Sequence, residues 1–270
     1  MPKASDLTAS NLSFLFKGSP GSFKTLAAVS FASAGPVLLN YFDKSKPIEL
    51  THFITNVLKR PELLKNIEYK VFSAPNAHEY LNDLMALTKR CDYFAVVTDS
   101  VTSMTASAVN WSLGFRNPAG AKKDPLNPKA TLMIPDFDEY KVETSYITQA
   151  LDISRTLPCH IIWTAHPLSK MVISGGTSGS VGDRMKITKS NSIVSYGSKV
   201  ADLIPGQFTE IYHFSKLSEW DQKVGKSIIK GNVSTRAVGD EYAKTALNLP
   251  EDFDITDQSF YEVWSSLLKG

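Results

Sequence analysis

The chain has 270 residues, 43% of them apolar and 21% charged, with a formal net charge of +2. This is an ordinary soluble globular composition with ample material for a sizeable core. So small a net charge speaks neither for nor against nucleic acid, which only a local basic patch could indicate.

No apolar run approaches the ~18–20 residues that span a bilayer, and the opening "MPKASDLTAS" lacks the apolar stretch of a signal peptide. The expectation is a soluble protein of a reducing, cytoplasmic compartment, with no membrane partner. Cys91 and Cys159 lie far apart and outside any CxxC pattern. They offer neither a disulfide framework nor a zinc site and read as small core-facing residues.

In chain order, "LSFLFKG" (12–18) is a short apolar run ending in glycine, which predicts a buried strand. "SFKTLAAVSFASAG" (22–35) predicts a helix stopped by Gly35 as a C-cap. "PVLLNYF" (36–42) predicts the next strand, so the chain opens with a βαβ unit. Residues 75–91 carry Leu81, Leu84, Met85 and Leu87 at helical spacing, with Lys89 and Arg90 at the end.

"YFAVVTDSV" (93–101) is a continuous apolar strand that ends in Asp99. Residues 136–156, with Tyr140, Ile147 and Leu151, predict an amphipathic helix. "CHIIWTAH" (159–166) is another buried strand with polar residues at its end, and 208–217 and 226–236 read as later strands. Strands alternating with helices argue for a mostly parallel sheet covered on both faces. Two irregular stretches interrupt the rhythm, 112–135 and 167–206; the first holds four prolines, two glycines and four basic residues. Long loops within a compact domain are usually functional or disordered.

The turn between the first strand and its helix reads Gly18-Ser19-Pro20-Gly21-Ser22-Phe23-Lys24-Thr25. The phosphate-loop pattern asks for Gly, four residues, then Gly-Lys-Ser/Thr, in a strand-to-helix turn. Such a loop works because backbone N–H groups at a helix N-terminus surround phosphates, while the lysine adds charge and the hydroxyl helps hold Mg²⁺. Gly18, Lys24 and Thr25 fall in register, but Phe23 stands where the second glycine belongs. Phe23 is expected to keep a helix-compatible backbone and turn its ring away from the phosphates. A left-handed backbone there would favour a site that does not hydrolyse.

Asp99 at a strand's carboxyl end has the placing of a carboxylate that holds the water shell of Mg²⁺, although a strand-terminal aspartate also commonly caps a turn. Ligands of open α/β sheets bind outside the carboxyl ends of the strands, the edge that Lys24, Thr25, Asp99 and His166 would share. Ser100 rather than glutamate follows Asp99, so a water-activating carboxylate must come from elsewhere. Asp43, closing "PVLLNYFD", is the first choice and Glu49 the second.

In this order, "GSPGSFKT", a strand with a terminal acid, "VVTDSV" and "CHIIWTAH" resemble the RecA-like core of phage-type P-loop ATPases of the RecA and DnaB type. The similarity covers residues 12 to about 255, and the whole chain, 1–270, is expected to form a single domain. The resemblance implies an α/β RecA-like fold, with a mostly parallel twisted sheet, helices on both faces and antiparallel C-terminal strands. It implies ATP and Mg²⁺ as ligands, with Thr25 and Asp99 on the metal and residues 18–25 on the nucleotide. It also implies a γ-phosphate-sensing role for His166. Arg236, in "KSIIKGNVSTRAVGDEY", matches the residue that such proteins place in a neighbour's site, although the lysine of the usual Lys-x-Arg is replaced by Ser234.

A shared site implies a homo-oligomer, ring or filament, with nucleotide at subunit interfaces. The two irregular stretches match the family's DNA-binding loops. They offer Arg116, Lys122, Lys123 and Lys129, beside Trp111 and Phe115, and then Lys170, Arg184, Lys186 and Lys189. Phosphate attraction and aromatic stacking suit single-stranded DNA. The expected role is that of a phage-encoded ATPase in recombination or single-strand annealing, working in the host cytoplasm and alongside a single-strand-binding protein. Two alternatives stay open: a ring-forming replicative helicase ATPase, and a nucleotide-binding assembly protein with little turnover.

Overall fold

A computed structural model describes residues 11–43, 48–115, 122–123, 131–132, 135–174, 186–193, 195, 198–221, 226–237, 243–256 and 258–269. The first half of the chain supplies strands β1 (Ser13–Gly18), β2 (Val37–Tyr41), β3 (Ile67–Val71) and β4 (Ala95–Asp99). Helices α1 (Lys24–Val29), α2 (Ile48–His52), α3 (Ala77–Lys89) and α4 (Val101–Leu113) alternate with them. Two short strands follow, β5 (Lys122–Lys123) and β6 (Thr131–Leu132), then α5 (Phe137–Ser154), β7 (His160–Ala165), β8 (Pro167–Ser174) and β9 (Lys186–Ile193). The chain closes with α6 (Ser198–Leu203), β10 (Glu210–Asp221), β11 (Lys226–Ser234), β12 (Asp252–Asp254) and α7 (Phe260–Lys269).

The main sheet has eight strands in the order β12-β11-β10-β1-β7-β4-β2-β3. From β10 through β3 every pairing is parallel, and β11 and β12 are added antiparallel. The fold class expected from the sequence is therefore the one the chain forms. Strand β7 lies between β1 and β4, so the loop after β1 and the acid ending β4 are separated by one strand at the same edge.

Alternation along the strands builds two cores, because successive side chains leave opposite faces. Leu15, Leu38, Val96, Ile161 and Trp163 enter one, packing with Tyr80, Leu84, Met104, Ile147 and Val200 of α3, α4, α5 and α6. Phe14, Phe16, Leu39, Val97 and Ile162 enter the other, packing with Ala28, Phe31, Phe260 and Trp264 from the α1 and α7 side. A polar latch ties α7 to this second core. Trp264 Nε1 donates to Tyr212 Oη at 3.1 Å, and Tyr212 donates to the buried Glu210 at 2.8 Å.

Three expectations need correction. The helix expected over 22–35 is only six residues of α-helix followed by a 3₁₀ turn, Ser30–Ser33. Gly35 is no left-handed cap; a Cβ there would stand 2.7 Å from Phe94 Cβ, so close packing requires the glycine. The stretch 167–206 is not all irregular. It holds the β8–β9 hairpin, paired from Pro167↔Ile193 to Ser174↔Lys186, and helix α6. On α3 the core face is Ala77, Tyr80 and Leu84, while Met85 is exposed. Among the described residues, no helix is long and apolar enough to cross a membrane.

Candidate nucleotide-binding cleft

The loop after β1 is shaped by close approach. A Cβ on Gly18 would lie 2.4 Å from both Phe214 O and Ser22 Oγ, so only glycine fits. Gly21 takes φ +74°, a region glycine enters without steric cost. Ser22 N donates to Ser19 O at 3.2 Å and closes the turn.

Phe23 contradicts its expectation in one respect. Its backbone is left-handed, φ 69° and ψ 8°, instead of helix-compatible. The phosphate-loop pattern puts glycine here, and Phe23 adopts a conformation that glycine reaches freely and an L-residue only at a cost. The ring explains why the chain accepts it. It packs against Phe53 with centroids 5.9 Å apart, and its Cδ2 would lie 3.0 Å from a Cβ on Gly231. The ring is thus held by the protein on the β11 side.

Phe23 is also the N-cap of α1, and its side chain makes no capping hydrogen bond. The first N–H groups of a helix have no partner within it, and here they belong to residues lining a cleft of about 340 Å³. Pro20 through Leu26, Tyr41, Asp43, Leu50, Phe53, Asp99 and His166 form its walls. The structure thereby brings together Lys24, Thr25, Asp43, Asp99 and His166.

The Lys24 ammonium is buried and donates to Gly18 O at 2.7 Å and Ser19 O at 2.8 Å. Burial pushes its pKa down to about 8, against the upward pull of the Asp99 and Asp43 charges. Thr25 Oγ1 donates to Asp99 Oδ2 at 2.7 Å, and Thr164 Oγ1 donates to the other carboxylate oxygen. Burial raises the Asp99 pKa, with the bonds from Thr164 and Thr25 acting in opposition. An oxygen pair of this kind, hydroxyl beside carboxylate, is the hard donor set that Mg²⁺ takes, and a cation there would relieve the cost of burying the anion. The residues fit the metal.

Asp43 accepts a hydrogen bond from Ser103 Oγ on α4, which fixes its carboxylate at the cleft wall. His166 Nδ1 lies 3.3 Å from Gly18 O, and its pKa is lowered, first by burial and then by the Lys24 charge. A carbonyl only accepts, so Nδ1 carries the proton in this contact.

Other expected site residues are not brought here. Arg236 is exposed and lies 3.5 Å from Glu251 across an ion pair. Ser234 pairs with His213, one position below the Gly18↔Phe214 register, and β11 runs away from the cleft edge. Arg236 therefore cannot serve the cleft of its own chain. Lys122 and Lys123 pair with Leu132 and Thr131, and Lys170, Lys186 and Lys189 pair within the β8–β9 hairpin. Their side chains lie outside the described residues, as do Arg116, Lys129, Arg184 and the Glu49 side chain. A second cavity, of about 440 Å³, has no lysine or acid among the described residues that line it; Ala74, Pro75, His78, Trp111 and Phe115 are part of its lining.

Sequence reasoning missed Thr164 and Ser103, the residues that hold the two acids. Thr164 follows from alternation: it shares a face with Ile162, as Asp99 does with Val97, on neighbouring strands.

No protein-family model matches the chain, and no curated protein does. Among solved structures, a KaiC-like protein from the hyperthermophilic archaeon Pyrococcus horikoshii OT3 is similar over 90% of this chain and 84% of its own, with 11% identity and a TM-score of 0.43. A likeness so distant carries no weight for activity. The strand order and the cleft themselves define the class: an α/β protein with a mostly parallel sheet and a phosphate-loop-like turn opening on its carboxyl edge.

Proposed function

We propose that the cleft binds a nucleoside triphosphate, ATP, with Mg²⁺ and hydrolyses its terminal phosphoanhydride bond. The observation that carries this reading is the convergence of Lys24, Thr25, Asp99, Asp43 and His166 at the N-terminus of α1. The first N–H groups of α1 and the Lys24 ammonium receive the phosphates. Thr25 and Asp99 would hold Mg²⁺, which supplies neutralisation of charge on the phosphate oxygens. Thr164 keeps the Asp99 carboxylate turned toward Thr25. Asp43, steadied by Ser103, accepts the proton of the attacking water. An anion beside His166 favours its second proton, so the imidazolium can stabilise negative charge while Nδ1 stays on Gly18.

The resemblance to RecA-like ATPases supports an oligomer in which Arg236 of one subunit serves the cleft of the next, acting on single-stranded DNA in recombination or annealing. The exposed aromatic shelf at the foot of the first basic stretch suits base stacking: Trp111 lies 5.9 Å from His78 and 5.2 Å from Phe115, which is 74% exposed. A second reading, a nucleotide-binding assembly protein with little turnover, gains from the left-handed Phe23 and from an aspartate where a longer carboxylate would reach further.

Phosphate release measured with and without single-stranded DNA separates the two. Stimulated turnover, with partial rescue when inactive Lys24→Ala and Arg236→Ala subunits are mixed, supports the shared-site ATPase. Tight ATP binding without turnover under either condition supports the assembly reading. Duplex unwinding by a hexamer would instead indicate a helicase.

A further inference from the structure

The cysteines that look unrelated in sequence meet at the opposite edge of the sheet. Cys159 immediately precedes β7, and Cys91 lies in the segment leading into β4; these neighbouring strands begin their pairing at Ala95↔His160. Their sulfurs stand 3.7 Å apart, both as free thiols. The flanking backbone is tied down, with His160 N donating to Phe94 O at 3.0 Å and Phe94 N to Pro36 O at 2.7 Å. Cys159 is buried in the core and Cys91 is half-buried at its margin. Cys91 is thus the nearer of the pair to solvent, and Cys159 lies deeper in the core.

We propose that Cys91 and Cys159 form a site of reversible oxidation, closing to an intramolecular disulfide by exchange with a low-molecular-weight disulfide. A covalent S–S bond is ~2.05 Å long, so the sulfurs need to close by ~1.7 Å. Rotation of the Cys91 side chain, on a segment outside any helix or strand, can supply that movement. The Cys91 thiolate attacks one sulfur of the small disulfide and releases one small thiol, leaving a mixed disulfide. Cys159 gives up its proton, and its sulfur displaces the second small thiolate from Cys91; that proton completes the second released thiol. The two protein sulfurs are oxidised together by two electrons, and the small disulfide is reduced to two thiols. Burial and the neighbouring Cys91 sulfur hold the Cys159 thiol well above the usual range, so the second step is the slow one. The proposal is independent of what the cleft binds.

The test equilibrates the native protein in buffers of reduced and oxidised glutathione, traps free thiols by alkylation, and maps the peptides by mass. The expected result is joint loss of both alkylation sites and a single peptide joining Cys91 to Cys159. Dithiothreitol should reverse both changes. The thermal midpoint of the oxidised form should rise by ~5 °C or more, since the bridge closes a long loop. Cys159→Ala should stop at the mixed disulfide on Cys91, and Cys91→Ala, at the half-exposed position, should resist oxidation altogether. A wild-type protein that stops at the mixed disulfide, links only between molecules, or crosslinks only in denaturant would overturn the proposal. A lowered midpoint on crosslinking would also overturn it, since the native fold would then not accommodate the bridge.

Discussion

Replacing Phe23 tests whether its backbone or its ring decides the shape of the loop. A left-handed L-residue costs roughly 1–2 kcal/mol relative to glycine. The ring is half-buried against Phe53, Gly231 and the α7 side of the core. Losing it should cost about 2 kcal/mol of burial and about 1 kcal/mol of aromatic pairing. Phe23→Ala loses the ring and keeps the backbone cost, so it should destabilise by about 3 kcal/mol. Phe23→Gly loses the ring but relieves the backbone, less ~0.5–1 kcal/mol for the freer unfolded chain. It should come out about 1.5–3 kcal/mol below the wild type and above Phe23→Ala by up to ~1.5 kcal/mol. Glycine is preferred to alanine at N-caps in general, which acts in the same direction, so the informative outcome is alanine ahead of glycine. Urea melts of the three proteins measure it. Phe23→Ala proving more stable than Phe23→Gly would refute the left-handed assignment.

His160 is buried against Phe14, Phe31 and Phe94, and its Nδ1 accepts from Leu12 N at 3.1 Å, so the fold needs the neutral ring. Burial lowers its pKa; its stabilising contribution is therefore present above about pH 6.5 and lost as pH falls through the lower folded value. Melts between pH 8 and 5 should show stability falling below pH 6.5, with His160 contributing a slope approaching ~1.4 kcal/mol per pH unit beside a share from His166, and His160→Gln should remove the first share. Thr164→Val removes one of the donors to the buried Asp99 and should cost roughly 1–3 kcal/mol in denaturant melts. It should also raise the Mg²⁺ concentration needed for half-maximal nucleotide binding; unchanged values in both assays would remove Thr164 from the site. Gly18→Ala forces a Cβ to 2.4 Å from Phe214 O, so nucleotide binding, followed by calorimetry, should fall by at least ~tenfold, the cost of losing one good charge-assisted contact to phosphate.

The parallel core was legible because its strands are short apolar runs with chemistry at their ends. "FLFKG", "LLNYFD", "AVVTD" and "IIWTAH" each announce both burial and a polar terminus, and the edge rule placed those termini together. What stayed hidden depended on register or on packing between distant elements. Phe23 could not be read because its left-handed backbone is supported by Gly231, far along the chain. Strand β3 escaped notice since Glu68 through Val71 are exposed at the sheet edge, where apolar alternation has no core to answer to. The β8–β9 hairpin was obscured by the serines and lysines of "KITKSNSI", which weaken the period-2 signal. Helix α7 shows its role only through Phe260 and Trp264 meeting Phe14 and Phe16. The cysteine pair needed the β4–β7 register before either thiol had a partner.

The central claim is that residues 18–25 form a working nucleotide site despite Phe23. Calorimetric titration of ATP with Mg²⁺ into the full chain and into Lys24→Ala tests it most directly. The wild type should bind one nucleotide per chain, and Lys24→Ala, deprived of the buried ammonium, should bind at least ~tenfold more weakly. Equal affinity in the two proteins, or no binding by the wild type, would contradict the account.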